Sequence, residues 1–149
     1  MLSNACQYAI RSVLYLALYG DENNKLGAKA IAEELEVPQP FLAKLLQKLS
    51  KRHLISSLKG PNGGFFLSKK DKRNTIFDII NCIDGTAAFS ACFLGLKQCS
   101  DINPCPVHFT VAPFKEKLML DFREKNIEKF AKEIQTKENV TIKNIDLLR

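Results

Sequence analysis

The sequence predicts a mainly α-helical fold with one small β-hairpin, and three observations lead to this prediction. Apolar residues recur at helical spacing through most of the chain. Prolines and a polar loop divide the first half into separate helices. A glycine-rich turn, Gly60–Gly64, separates two short runs of strand-forming residues. The composition suits a globular protein, because 46% of the 149 residues are hydrophobic and 26% are charged.

Three helices are predicted before the hairpin. Ser3 can cap the first helix, which ends at a polar loop after Tyr19. Pro38 and Pro40 mark the start of the third helix, because proline fits the first turn of a helix but not its interior. The predicted bounds are residues 3–19, 26–36 and 38–52.

The hairpin follows directly, with strands predicted over residues 54–58 and 65–68 and Asn62-Gly63 in the turn. Thr75 can cap a fourth helix that ends near Asp84-Gly85. A pair of helices with a tight break, followed by a hairpin, is typical of a winged helix-turn-helix. In that fold the second helix of the pair enters the major groove of duplex DNA.

The apolar pattern of the C-terminal part predicts one long amphipathic helix over residues 111–136, followed by a polar tail at 137–149. A single helix cannot bury so wide an apolar stripe alone. We expect four units: a DNA-binding domain at 1–85, a cysteine loop at 86–110, the long helix and the tail. The apolar stripe consists of Val111, Phe114, Leu118, Phe122, Ile127, Phe130 and Ile134.

The positive charge is concentrated in one segment. The net charge is +6, and residues 38–70 hold seven Lys or Arg residues and no Asp or Glu, whereas residues 71–149 hold 12 basic and 11 acidic residues. Such a segment is typical of a DNA-contacting surface, although a solvated basic face or a helical interaction domain would look similar. The candidate DNA-binding residues are Gln39, Pro40, Phe41, Lys44, Gln47, Lys48, Lys51, Lys59, Asn62 and Gly63.

These candidates have different expected roles. Lys44 and Gln47 can hydrogen-bond to base edges, whereas Lys48 and Lys51 suit phosphates. Glycine at the tip of the hairpin lets backbone N–H groups approach DNA closely. Phe41 is expected to pack against the protein more than it reads bases.

The cysteine loop carries a candidate metal site. Cys92, Cys99 and Cys105 are followed by His108, and three thiolates with one imidazole can complete a tetrahedral shell around iron or zinc. Structural zinc usually uses closer cysteine pairs, and a thiol switch without metal is a third possibility. A Cys–His hydrolase is disfavoured, because no acid is evident that would orient the histidine. Two further cysteines, at 6 and 82, fall in predicted helices and are expected to be small buried residues.

Several classes of protein are excluded by what the sequence lacks. No apolar run approaches the roughly 18 residues of a membrane span, and no basic stretch precedes an apolar run at the N-terminus. We therefore expect a cytoplasmic protein without membrane contact. No phosphate loop, nucleophile elbow or pair of catalytic carboxylates is evident, so an enzyme is not expected.

A set of short motifs extends from the N-terminus to the end of the fourth predicted helix: Leu2-Ser3, Tyr8–Arg11, Leu14–Ala17, Ile31-Ala32, Phe41-Leu42, Gly60–Phe65, Asp78–Ile80 and Asp84-Gly85. The Gly-Pro-x-Gly-Gly turn is quite specific in this context. Together these motifs resemble the IscR-like family of regulators, also called Rrf-two, from Met1 to about Phe130. The resemblance implies a homodimer whose C-terminal helices cross, which makes residues 111–136 the dimerisation helix, with each winged head on one half of a palindromic duplex site.

The resemblance also implies a cofactor. Relatives with three cysteines in this loop hold an iron–sulfur cluster, often [2Fe–2S], and in some a histidine three residues after the last cysteine is the fourth ligand. That pattern assigns Cys92, Cys99, Cys105 and His108 as ligands. The first spacing departs from the family, with six intervening residues where five are common. The implied function is a transcription regulator gated by the cluster, with cluster-free regulation through thiols or zinc as the alternative.

Overall fold

The computed structural model describes residues 2–138 and 140–143 and contains seven α-helices and one two-stranded antiparallel sheet in this part of the chain. A short 3-10 turn, Asp71–Arg73, joins the sheet to the fourth helix. The elements are α1 Asn4–Tyr19, α2 Ala28–Leu35, α3 Gln39–Lys51, β1 Ser56–Leu58, β2 Gly64–Phe66, α4 Ile76–Ile83, α5 Ala87–Ser90, α6 His108–Glu124 and α7 Ile127–Thr136.

The first helix lies at the centre of the head and packs against α2, α3, α4 and α7. The Ser3 hydroxyl caps it by accepting a hydrogen bond from the Cys6 amide at 3.0 Å, as the sequence predicts. The core is aliphatic, and its largest fully buried side chains are Val13, Leu16, Ile31, Leu35, Leu42, Leu46, Leu49, Ile55, Leu67, Ile79, Ile80 and Ile127.

The turn between α2 and α3 forms as predicted. Glu36 adopts a left-handed conformation, and its amide donates to carbonyls of the last turn of α2. Pro38 then caps α3, with Pro40 in the first turn of that helix. The prediction that α2 begins at Leu26 was wrong, because the Leu26 backbone pairs with Phe65 through hydrogen bonds of 2.9 and 2.7 Å. This segment thus extends the sheet instead of starting the helix.

The wing comprises β1, β2 and the turn between them. Ser56 pairs with Phe66 and Leu58 with Gly64, so the strands are shorter than predicted. Glycine is required at position 63, because a Cβ atom there would lie 2.0 Å from the backbone oxygen of Leu58. The buried carboxylate of Asp71 secures the base of the wing, accepting from the Ser56 hydroxyl at 2.6 Å and from the Ser68 amide at 2.9 Å.

The predicted long helix over residues 111–136 is two helices in the structure. Lys125 is extended, with φ −105° and ψ 118°, and ends α6, after which Asn126 caps α7 by accepting from the Lys129 amide at 2.9 Å. Asparagine favours such caps because its side chain satisfies a free amide of the first turn. Ile127 is 0% exposed, and its amide donates to Asn74 at 2.9 Å, so α7 belongs to the head and packs on α1.

The cysteine loop is also more structured than predicted, because it contains α5 and because α6 begins at His108, three residues before Val111. The tail contacts the head where the structure describes it. Arg11 donates from Nε to the carbonyl of Ile142 at 2.8 Å and from Nη2 to that of Leu35 at 2.9 Å. The rest of the predicted tail, residues 139 and 144–149, lies outside the described residues. Among the described helices, none is long and apolar enough to cross a membrane.

Candidate functional site

The outer face of α3 carries the predicted DNA-binding side chains together. Four leucines of the helix, at 42, 45, 46 and 49, are buried and fix which face points outward. The outer side of α3, opposite these leucines, has no carboxylate, because the helix contains no Asp or Glu. All seven candidates on this helix are exposed: Gln39, Pro40, Phe41, Lys44, Gln47, Lys48 and Lys51.

The wing lies beside α3, so its basic residue adds to the same surface. The Ser50 and Ser57 hydroxyls are 2.8 Å apart and link α3 to β1. A groove runs between the helix and the hairpin and is lined by Gln47, Lys51 and Lys59 among others. Lys59 and Asn62 are exposed, and Gly63, which is half-buried, closes the turn by donating its amide to Gly60 at 3.0 Å. We call this surface of α3 and the wing turn the basic face.

Phe41 is the one large apolar residue on the α3 side of the basic face. Its side chain is 41% exposed, and its ring meets the ring of Tyr8 edge to face, with centroids 5.9 Å apart and an interplanar angle of 84°. Phe41 therefore packs partly against α1 while a large part of the ring remains open to a ligand.

The structure pairs two of the four predicted ligands directly. The Cys99 sulfur lies 3.4 Å from Nδ1 of His108, which is the first residue of α6. Cys105 is close enough to Cys92 to contribute to the lowered pKa of the Cys92 thiol. Cys92 and His108 are buried, at 8% and 5% exposure, whereas Cys99 is exposed.

Two residues that the sequence did not indicate complete this region. Asp101 Oδ1 lies 2.7 Å from Nε2 of His108, so the prediction that no acid orients this histidine was wrong. With Nε2–H donating to the carboxylate, Nδ1 of a neutral ring keeps its lone pair facing Cys99. Metal-binding histidines commonly donate their other N–H to a carboxylate in this way.

Lys115 is the second such residue. It is 6% exposed, and its ammonium donates to the carbonyl of Ala91, next to the first cysteine of the loop. The pKa of Cys92 lies below its usual value, chiefly because the Leu96 amide donates to the thiolate, with further contributions from Leu94, Cys105 and the charge of Lys115. Lys115 lies seven residues after His108, so helical spacing puts both on one face of α6.

The chemistry of the donor set, three thiol sulfurs and one imidazole nitrogen, suits an iron–sulfur cluster or a zinc ion. Among the described residues, no three His, Cys, Asp or Glu side chains gather closely enough to hold one metal ion. The lowered pKa of Cys92 and the contact of His108 with Asp101 are compatible with metal ligation.

The remaining cysteines lie apart from this site. Cys6 is 0% exposed in the core, and burial, followed by the nearby carboxylate of Asp84, raises its pKa to about 12. Burial also raises the pKa of the Cys82 thiol. A raised pKa makes the thiolate, which is the form that binds metal, less accessible at both positions.

Comparisons with known proteins agree on one family. The family model described as "Rrf2: Iron-dependent Transcriptional regulator" matches residues 2–133. A protein of Aquifex aeolicus named as an HTH-type transcriptional regulator is 36% identical over 130 residues, which cover 86% of this chain and 89% of that one. IscR of Xenorhabdus nematophila is 27% identical over 107 residues, covering 72% and 64% of the two chains.

Solved structures share the fold. CymR of B. subtilis, titled a global cysteine regulator, superposes with a TM-score of 0.71 at 20% identity and covers 89% of this chain and 96% of its own. IscR of T. potens superposes with a TM-score of 0.69 at 19% identity and covers 95% and 93%. These structures establish the winged-helix fold, and the matched family consists of transcriptional regulators rather than enzymes.

Proposed function

The chain belongs to the Rrf2 family of transcriptional regulators, and from this premise we propose that it acts as a homodimer on palindromic duplex DNA under the control of a [2Fe–2S] cluster. The proposal of DNA binding rests on the basic face. There α3 and the wing present lysine and amide side chains, and α3 contributes no carboxylate. A bacterial-type regulator of this kind binds chromosomal DNA, which lies in the cytoplasm, so we propose a cytoplasmic location.

The basic face divides into two kinds of contact. The N-terminal part of α3 would enter the major groove, where Lys44 and Gln47 can reach base edges. Lys48, Lys51 and the wing residue Lys59 would meet phosphates on either side. Base contacts specify the sequence, whereas phosphate contacts supply affinity that depends on salt.

The homodimer is supported by apolar side chains on α6 that the head does not cover. Phe109 is 70% exposed and Phe114 is 61% exposed, whereas Leu118 and Phe122 of the same helix pack against the head. Exposed aromatic residues on one helix are typical of an interaction surface. A second copy of this chain is the proposed occupant, because a two-fold dimer matches the symmetry of a palindromic site.

The cluster would be held by Cys92, Cys99, Cys105 and His108. When bound, it supplies one-electron redox chemistry and a dependence on iron. Three of the proposed ligands belong to the cysteine loop, and the fourth is the first residue of α6. A bound cluster would therefore fix the position of the loop relative to this helix. Because α6 also packs on α4 of the head, a change in the loop can alter the spacing of the two heads.

Two experiments test the proposal. Binding of selected duplexes should fall steeply with salt. Lys44→Ala should relax the sequence preference, whereas Lys51→Ala should weaken binding to all sequences alike and lower the salt slope by about one. Equal effects of both variants on specificity would contradict these roles.

The second experiment is anaerobic purification with iron, sulfide and zinc analysis. About two iron and two sulfide ions per chain in the wild type, lost in Cys99→Ala, are expected for a [2Fe–2S] cluster, whereas about four of each would indicate a [4Fe–4S] cluster. Zinc without sulfide, or no metal, would refute the cluster and leave DNA binding as a separate question.

A regulator that senses oxidants through thiols is the second candidate. It is favoured by the contacts of His108, which lies between Cys99 and the carboxylate of Asp101. A metal-free protein whose DNA affinity changes on oxidation, with the change lost in Cys99→Ala, would support this alternative.

A further inference from the structure

We propose that Phe41 recognises the C5-methyl group of thymine in the major groove, and so makes this regulator selective for thymine at one position of each half-site. The inference rests on the proposed DNA contacts of α3 and specifies the base group that one of them reads. It begins from a feature of the basic face that neither phosphate binding nor hydrogen bonding to bases explains, an exposed aromatic ring among polar side chains.

Phe41 lies where base contacts are made. It is the third residue of α3, and the N-terminal residues of this helix are those that approach base edges in helix-turn-helix proteins. The next residue, Leu42, is fully buried in the core, whereas Phe41 points outward beside Lys44 on the same helical face. Phe41 therefore packs partly on Tyr8 of α1, and the exposed 41% of its side chain is not accounted for by that contact.

The ring is held in place before DNA binds. Tyr8 of α1, which itself packs against the core, meets the ring edge to face at 5.9 Å. A ring fixed by one neighbour loses little further rotamer freedom on binding, so its contact with a ligand is more favourable. The contact also fixes where the open part of the ring can reach.

The chemistry of the groove then selects the partner. Among the four unmodified bases, thymine alone presents an apolar group, its C5-methyl, on the major-groove edge. An exposed phenyl ring can neither donate nor accept a conventional hydrogen bond, so it gains most by covering that methyl group. Guanine and adenine would place polar atoms against the ring and lose their hydration, whereas cytosine offers only a C5–H beside its amino group and so gives the ring less apolar contact than the methyl group does.

The test removes the methyl group from the DNA. A duplex is selected from a random library with the full-length wild-type protein, and each thymine is then replaced in turn by uracil, which has the same hydrogen-bonding groups. Fluorescence anisotropy at fixed salt measures the affinities. For wild type, we expect an affinity loss of about three- to fivefold at one thymine in each half-site, the size expected for one methyl group removed from an apolar contact.

Phe41→Ala should bind the thymine and uracil duplexes equally at that position. Lys51→Ala is the matched control and should weaken both duplexes while keeping the thymine preference. If uracil is tolerated at every position by wild type, or if Phe41→Ala retains the preference, the inference is wrong. Failure to select any duplex would instead refute the proposed DNA contacts, so the two failures are distinguishable.

Discussion

Replacement of Ile127 by alanine tests whether α7 is part of the DNA-binding head. Ile127 is 0% exposed and belongs to the same buried cluster as residues of α1 and α4. Truncation of a fully buried isoleucine leaves a cavity and costs about 2–5 kcal/mol of folding free energy. At about 2–4 °C per kcal/mol for a chain of this size, a central loss of about 3 kcal/mol lowers Tm by about 6–12 °C.

The assay is thermal unfolding followed by circular dichroism at several protein concentrations. Ile127→Ala should lower Tm at every concentration, because the lost packing is within one chain. Phe114→Ala is the control on α6, since Phe114 is 61% exposed, and it should change only the concentration dependence that a dimer imposes. A Tm for Ile127→Ala within about 2 °C of wild type would refute the assignment of α7 to the head.

Three further predictions concern the wing and the cysteine loop. Gly63→Ala should abolish specific DNA binding while the helices stay folded, because the Cβ atom of alanine would lie 2.0 Å from a backbone oxygen of β1. Unchanged affinity in the anisotropy assay would contradict this. Lys115→Met should speed amide hydrogen exchange in the cysteine loop of the metal-free protein, because the Ala91 carbonyl loses its buried donor. Lys117→Met is the control and should leave the exchange unchanged, because Lys117 is exposed. Equal exchange in both variants would contradict a role of Lys115 in holding the loop. At roughly pH 8 iodoacetamide should label Cys99 of the metal-free protein but spare Cys6, whose raised pKa of about 12 keeps the thiol protonated. Equal labelling of the two cysteines in mass spectrometry would contradict this.

The helix-turn-helix and the wing could be predicted because local signals specify them. Pro38 and Pro40 fix the start of α3, and Asn62-Gly63 marks the turn of the hairpin. Leu26 could not be placed in this way. Its apolar side chain fits a helical pattern, but its backbone pairs with Phe65, a partner far along the chain.

The break between α6 and α7 was missed for a related reason. Apolar residues continue at nearly helical spacing across the break, and neither Gly nor Pro interrupts them. Asn126 was the available signal, as a cap residue, but its effect depends on Ile127 finding a partner in Asn74.

The sequence could name the candidate ligands of the cysteine loop but not their surroundings. Cysteines and a histidine at short spacing are visible in any sequence. The roles of Asp101 and Lys115 depend on how the loop folds back on α6, and charged residues in a sequence are usually solvated. Their contacts therefore required the tertiary structure.

The most direct test of the whole account compares the DNA affinity of one protein preparation with and without the proposed cluster. Anisotropy on the selected duplex under anaerobic conditions should show affinities that differ by at least about fivefold between the two forms, the lower end of allosteric coupling. Cys99→Ala should match the cluster-free form whatever the iron supply. Equal affinities of the loaded and cluster-free wild type would contradict control of DNA binding by the cysteine loop.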